Sequence, residues 1–343
     1  MPGLSYSQIA DAALLTLNSF VKKGSFVNMQ TDLTNHVAVH EMWKKKKKVF
    51  TGGENWEFQV QMDHNHSAKP VGMFQQDSSA LEDTMVTGEI PARHVNAHYI
   101  YDLREKAFQR GGAAIVDLLL TRHTAMMVSF FEYMEDMFWS KPTDSSDVLT
   151  PYGIAYWVVK NAVKGFNGGN PTGFTSGRAG IDSSTYPRFS NYTAPYTAVS
   201  KTDLLRTMRE AHRVTQFRSP VNHATPDMGM GNGIYTNNDT IGLLEEVIET
   251  QNMNLGNDLA SKDGQVMFKS TPITYTPKLD DDSTDPIYML DWSKMSVGVM
   301  AGWEDQMTAP YMVPGKHLVR RVDKDVSLNM ICTDPRRQTV ISK

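Results

Sequence analysis

Ten histidines and one acid-rich turn are the residues of this chain best suited to hold a metal or move a proton. His36 and His40 are four apart, as are His94 and His98, and Asp63, His64 and His66 crowd into the run DHNH. Imidazole and carboxylate together suit zinc or a similar ion. The spacing argues against a shared ion, because four residues along a strand separate two side chains by about 13 Å. Solvated or interface positions are the expectation for these histidines. The run LDDDSTDP, with Asp280 to Asp285, carries oxygen ligands of the kind calcium prefers. It lacks the glycine and the closing glutamate of the usual loop and reads as an acidic turn. GMGNG, Gly229 to Gly233, has no clear strand before it and no helix starting at its end, so it fails as a dinucleotide-binding turn. No G-x-x-x-x-G-K-[ST], G-x-S-x-G or H-E-x-x-H occurs. Cys332, the single cysteine, excludes an intrachain disulfide, and its flank LNMICT predicts a buried, inert thiol. No catalytic group, cofactor or metal is expected.

Because chemistry is scarce, the elements carry the argument. Trp56, Phe58, Val60 and Met62 alternate with Glu57, Gln59 and Gln61, the period of a half-buried strand. Val95, Ala97, Tyr99 and Tyr101 alternate with His94, Asn96, His98 and Ile100, which predicts the returning arm of a long hairpin. Between them Asp63 to Asp83, including Met73 and Phe74, shows no period and reads as a long polar loop. Pro91 belongs at an edge or a bulge, since it cannot donate a ladder hydrogen bond. A two-stranded hairpin is marginal in water. The face carrying Trp56 and Phe58 therefore needs a surface to pack on, in this chain or in another.

The strongest helical pattern runs from Asp102 to Phe138, with Ile115, Leu119, Met126, Phe130, Met134 and Met137 on one stripe and Asp117, Glu132, Glu135 and Asp136 mostly elsewhere. Gly111-Gly112 is placed to break or kink its first part. At full length this helix would span roughly 55 Å. Amphipathic helices are also expected over residues 5–22, 200–217 and 239–253, with a short apolar helix near GIAYWVVKNAV. Short strands follow in QVMFKSTPITYTP, PIYMLDW, SVGVMAG and the alternation Val326, Leu328, Met330, Cys332. Strands and helices in runs rather than strict alternation give an α+β class.

The 343 residues allow one large domain or two, and 40% hydrophobic content is ordinary for a globular core. A net charge of −4 gives no basic field for tight nucleic-acid binding. Lys44, Lys45, Lys46, Lys47 and Lys48 form the one strong charge run, read either as a solvated face or as a contact to phosphate or an acidic neighbour. Residues 1–24 lack a secretory signal, and Ala113 to Phe138 is too interrupted by charge to span a membrane. Synthesis and assembly in a cytosol are expected. The 21 methionines fit either core filling or adaptable contacts between subunits.

The order of elements resembles the major capsid proteins of tailed double-stranded DNA bacteriophages, the Hong Kong 97-type fold. FKSTPITYTP, Phe268 to Pro277, is similar to strands near the end of that family's axial domain, and VSLNMICTDPRRQTVI to its closing strand pair. The resemblance implies an N-terminal arm over 1–50, an extended hairpin loop over 51–95 and a peripheral domain with its spine helix over 96–140. It places an axial domain over 141–290 and closing strands of the peripheral domain over 291–343. It implies that Trp56, Phe58, Val60, Met62, Met73 and Phe74 lie against an adjacent subunit, and that the chain self-assembles as hexamers and pentamers into an icosahedral virion shell. A portal protein, separate scaffolding or decoration proteins, and packaged double-stranded DNA on the interior face are the implied partners, with no membrane and no cofactor. Assembly would occur in the host bacterial cytoplasm. An encapsulin-like compartment shares the fold and is the alternative, followed by a metal-dependent hydrolase. No lysine–asparagine pair for covalent crosslinking is identifiable.

Overall fold

The computed structural model describes residues 36–43, 47–63, 70, 72–73, 84–105, 112–216, 232–252, 266–269 and 271–343. The helix expected over 5–22, together with Lys44, Lys45, Lys46 and Phe74, lies outside them.

A long strand near the C-terminus organises the first sheet. β1 (Lys47–Phe50), β4 (Arg93–Asp102), β11 (Met295–Met300), β12 (Gln306–Met307), β13 (Tyr311–Val313) and β14 (Lys316–Cys332) form six strands around β14. β4 runs antiparallel along one edge of β14, from Val319 opposite Asp102 to Leu328 opposite Arg93. The other edge is shared in succession by β13, β12 and β11, and β1 joins β11 in parallel. The expected alternation holds in β4, where Val95 and Tyr99 are buried while His94, Asn96 and His98 face outward.

β2 (Asn55–Gln61) and β3 (Met85–Pro91) make a separate two-stranded hairpin. This corrects the expected return arm. β2 pairs with β3, from Asn55 opposite Pro91 to Gln61 opposite Met85, and β4 leaves the hairpin after Ala92 to join β14. The strand over 85–91 escaped pattern reading because Gly88 and Pro91 weaken it as a strand.

α1 (Gly112–Trp139) follows, about 42 Å long over 28 residues. Of the helix expected from Asp102 to Phe138, Asp102 itself ends β4, and residues 106–111 lie outside the described residues. Leu119 and Met126 pack on Tyr99 and Val322, and Phe130, Met134 and Met137 enter the main core. Glu135, expected off the stripe, is fully buried.

The remaining strands form a seven-stranded sheet in the order β5 (Gly165–Gly168), β6 (Asn191–Pro195), β15 (Thr339–Ser342), β10 (Ile287–Asp291), β7 (Asn232–Thr236), β9 (Thr271–Tyr275), β8 (Met267–Phe268). The short α2 (Ile154–Trp157) leads into this region. α3 (Leu204–Val214) and α4 (Asn238–Asn252) bury Leu204, Met208, Ala211 and Leu244 in its core with Tyr192, Ala194 and Ile234. β15 belongs to this sheet, parallel to β6 and antiparallel to β10. Of the strands in 291–343, β11 to β14 belong to the first sheet and β15 to this one, and the chain passes between them at the turn Pro335–Arg337.

Glu135 attaches the segment 36–43 to α1. Its carboxylate accepts hydrogen bonds from the backbone N–H groups of Ala38 (3.1 Å) and Val39 (2.9 Å) and from the Trp139 indole N–H (2.8 Å). It thereby caps the helical turn Val39–Trp43 from outside that turn. Burial raises the Glu135 pKa against the opposing pull of these donors and of His36. A folded-state pKa above the unfolded value means that the folded protein holds this proton more tightly, so stability falls as pH rises from about 4.5 through the raised value. Glu135→Gln should flatten this part of the stability–pH curve, measured as the difference in unfolding free energy from wild type. Glu135→Ala should cost on the order of 3–5 kcal/mol at neutral pH by orphaning three buried donors, read by denaturant unfolding.

Candidate assembly surfaces

The base of the hairpin is fixed by aromatic side chains and by glycines that let them approach. The Trp56 ring stacks on Phe50 with centroids 4.8 Å apart and planes 3° apart. It also lies flat on β11 at Gly298, where a Cβ would sit 2.8 Å from the indole. Phe58 crosses the hairpin over Gly88, where a Cβ would sit 2.6 Å from its ring, and meets Trp157 edge to face at 6.3 Å. Trp56 is 1% exposed, Phe58 7% and Met62 8%, with Val60 packed at the margin of the same core. The face expected to lie against an adjacent subunit is thus covered by this chain's own β1, β11 and α2. Each buried aromatic contributes about 2–3 kcal/mol to holding the hairpin in place.

Polar contacts extend this anchorage. Glu89 N–H donates to the Ala179 carbonyl at 2.9 Å. Arg188 reaches the Asp63 carboxylate at 3.3 Å and the Met62 carbonyl. The loop that receives the hairpin is wound around Arg178, whose guanidinium is fully buried. It donates to the carbonyls of Gly168, Gly169 and Phe189 and to Asn191 Oδ1 at 2.7 Å. Burial lowers its pKa to about 10, so it keeps its charge at neutral pH. Asn329 of β14 ties the corner together, accepting from Tyr152 N–H at 2.7 Å and donating to the Pro91 carbonyl at 2.6 Å.

Past Met62 the apolar residues turn outward. Met73 is 95% exposed and Met85 46%. Of the lysine run, Lys47 sits in β1 with its ammonium 3.8 Å from the Trp43 ring centroid, and burial lowers its pKa despite Glu304. Lys48, next along the strand, is exposed.

His64 and His66 lie outside the described residues, and the described histidines are not brought together. His94 Nδ1 lies 2.5 Å from the Ser327 hydroxyl, while His98 lines an open groove of about 600 Å³ between β4 and α1, with Tyr99, Tyr101, Arg122 and Met126. No group of three metal-ligating side chains occurs among the described residues. The acidic turn is used internally: Asp282 pairs with Lys160, Asp285 with Lys343, and Asp280 accepts from Asn238 N–H and the Tyr275 hydroxyl. Cys332 is buried and its pKa is raised by desolvation, as the flanking sequence predicted. Pattern reading missed Glu135, Arg178, Arg188, Gly88 and Gly298; only the Glu135–Trp139 spacing of four residues carried a local signal.

No protein-family model matches the chain, and no curated protein matches it in sequence. Its structure is similar to the Cyanophage A-1(L) capsid asymmetric unit, with a TM-score of 0.63 at 13% identity over 93% of this chain and 95% of that one. It is also similar to the capsid of the native GTA particle (TM-score 0.59, 10% identity, 93% and 94% covered). The capsid of Myoviridae phage XM1 gives a TM-score of 0.56 at 7% identity, covering 93% and 95%. The fold is therefore the α+β phage-capsid fold, Hong Kong 97-like, over nearly the whole chain. Among the described residues no helix is long and apolar enough to cross a membrane.

Because Trp56 is buried within its own chain, Trp56→Ala should destabilise the free subunit by about 3–5 kcal/mol, measured by denaturant unfolding at concentrations below assembly. A side chain buried only between subunits would leave that value unchanged. Gly298→Ala should cost about 1–3 kcal/mol by forcing the indole off β11.

Proposed function

We propose that this chain is a structural major capsid protein whose copies close into an icosahedral shell around a double-stranded DNA phage genome. The observation that carries this reading is the capsid fold matched over 93% of this chain and 95% of the cyanophage capsid chain. Its activity is self-assembly, through hexamers and pentamers, in the cytoplasm of a bacterial host. A portal protein and packaged DNA complete the particle, with separate scaffolding or decoration proteins as further partners. Many small interfaces summed around closed rings make such assembly cooperative and concentration-dependent.

Within this reading the hairpin divides into two parts. Its base is a fixed bracket on its own subunit. Its outer part, with Met73 and Phe74, reaches an adjacent subunit. Lys48 and the lysines before it are electrostatic contacts to a neighbour or to DNA.

Negative-stain electron microscopy with sedimentation velocity is the deciding experiment. Closed, uniform particles are expected, from the chain alone or with its phage's other head proteins co-expressed; a chain that stays small in both conditions refutes the capsid reading. The hairpin arms still meet at Met62 N–H and the Thr84 carbonyl, 3.0 Å apart. Replacing residues 64–83 by an Asn-Gly turn should therefore give a folded, soluble subunit that forms no closed shells. Normal shells from that variant would remove the tip from assembly. Replacing all five lysines of 44–48 by glutamine should lower the yield of shells and weaken its dependence on salt.

A further inference from the structure

The two helices that cover the seven-stranded sheet present opposite charge to solvent. On α3, Arg206, Arg209 and Arg213 stand three and four residues apart, so one exposed stripe carries all three over about 10 Å. Glu210, the helix's one acidic residue, is already taken by Lys164 at 2.6 Å. On α4, Asp239, Gly242, Leu243 and Glu246 share an exposed stripe of the same period. Among the described residues no ion pair engages the three arginines or Glu246, and Lys343, which lies in the field of Asp239, pairs with Asp285. Both stripes carry a local cost. Arg206 stands in the first turn of α3, at the positive end of the helix dipole, where a cation is disfavoured. Gly242 weakens the interior of an exposed helix, and an added Cβ there would stand in open space. The packing of α3 and α4 through Leu204, Met208, Ala211 and Leu244 asks for neither residue.

We infer that the arginine stripe of α3 pairs with the acidic stripe of α4 on a second copy of this chain, with Gly242 giving the arginines a close approach. The inference rests on the capsid reading. Charge selects the occupant. A phosphate backbone would satisfy α3 and be repelled by α4, and a basic partner would do the reverse. A second copy satisfies both at once, because every chain carries one stripe of each sign. The lengths agree as well: Arg206 to Arg213 and Asp239 to Glu246 are both seven residues, so the outer charges of the two helices come into register. The stripes are unlike, so the contact is heterologous, α3 of each copy meeting α4 of the next. A succession of such contacts closes into a ring. Exposed ion pairs are weak singly, and a ring repeats them at every interface.

A charge-reversal cycle tests the pairing. One variant carries Arg206→Glu, Arg209→Glu and Arg213→Glu, a second carries Asp239→Arg and Glu246→Arg, and a third carries all five. Each is co-expressed with the phage's other head proteins, and shells are counted by electron microscopy. The first two should yield fewer shells by at least about tenfold, and the third should recover them, since reversing both stripes restores their attraction. Free subunits of all three should unfold close to the wild-type midpoint, because the positions are exposed and unpaired within the chain. A midpoint lowered in one of the first two variants and restored in the third would put the pairing inside one chain and overturn the inference. Undiminished shells from the first two overturn it as well. A third variant as defective as the first also overturns it, and assigns the arginines to a phosphate polymer; the capsid reading survives each of these results. Wild-type chains that form no shells in the same setting overturn both. Gly242→Leu should lower shell yield without lowering the midpoint, and an unchanged yield overturns the close approach.

Discussion

An outstretched pair of strands has almost no core of its own, and water competes for its hydrogen bonds on both sides. The hairpin of this protein persists only because one end of it is clamped. Trp56 stacks on the Phe50 ring and both rings close on the bare backbone of Gly298, while Phe58 closes over Gly88 against Trp157. Those contacts dictate much else. β11 must carry glycine at one position, and β1 must run beside β11 to bring Phe50 under the indole. β14 must continue past β4 so that β11 has a strand to pair with. The organising strand of the sheet and the bracket of the hairpin are consequences of one packing problem.

Irregular segments meet a related problem, since their backbone groups have no ladder or helix to satisfy them. Two buried charges resolve it. Glu135 gathers the first amides of the arm's helical turn, and Arg178 gathers the carbonyls of the loop between β5 and β6. Neither relies on an opposite charge. A carboxylate accepts several bonds and a guanidinium donates several, so one side chain serves a stretch of chain that has no secondary structure. Charge-assisted bonds to peptide dipoles offset part of the cost of burying each ion. Loss of either side chain would leave several peptide groups unsatisfied at once.

How far the sequence disclosed this depends on the range of the interaction. The alternation in 56–62 and 94–101 and the stripe through Met126, Phe130 and Met134 are local periods, and they identified β2, β4 and α1. β3 was hidden because Gly88 is there for Phe58, a cross-strand requirement that depresses its own local strand signal. The burial of Trp56 was legible, but its covering surface was not. An apolar face seen in sequence specifies that something packs on it, and the glycine that receives it lies more than two hundred residues away. The partners of β15 were hidden for the same reason: all four of its residues are buried, and β6 and β10, which flank it, lie far away in sequence. The resemblance in element order supplied the architecture that local patterns lacked. It placed Trp56 and Phe58 against a neighbouring subunit, and the chain also offers them a surface of its own.

The internal packing of Trp56 and Phe58 bears on the physics of the proposed assembly. Were the aromatic face of the hairpin held only by a neighbour, a free subunit would expose Trp56 and Phe58 to water and collapse or aggregate before meeting its ring. On the capsid reading, a base clamped internally gives the subunit a hairpin anchored before it meets a neighbour. The contacts proposed between subunits would then be small, repeated and reversible, which lets a misplaced subunit leave before a ring closes over it. A shell built from individually strong contacts would trap its errors; one built from rigid subunits with weak edges corrects them, and closure supplies the stability that no single edge provides.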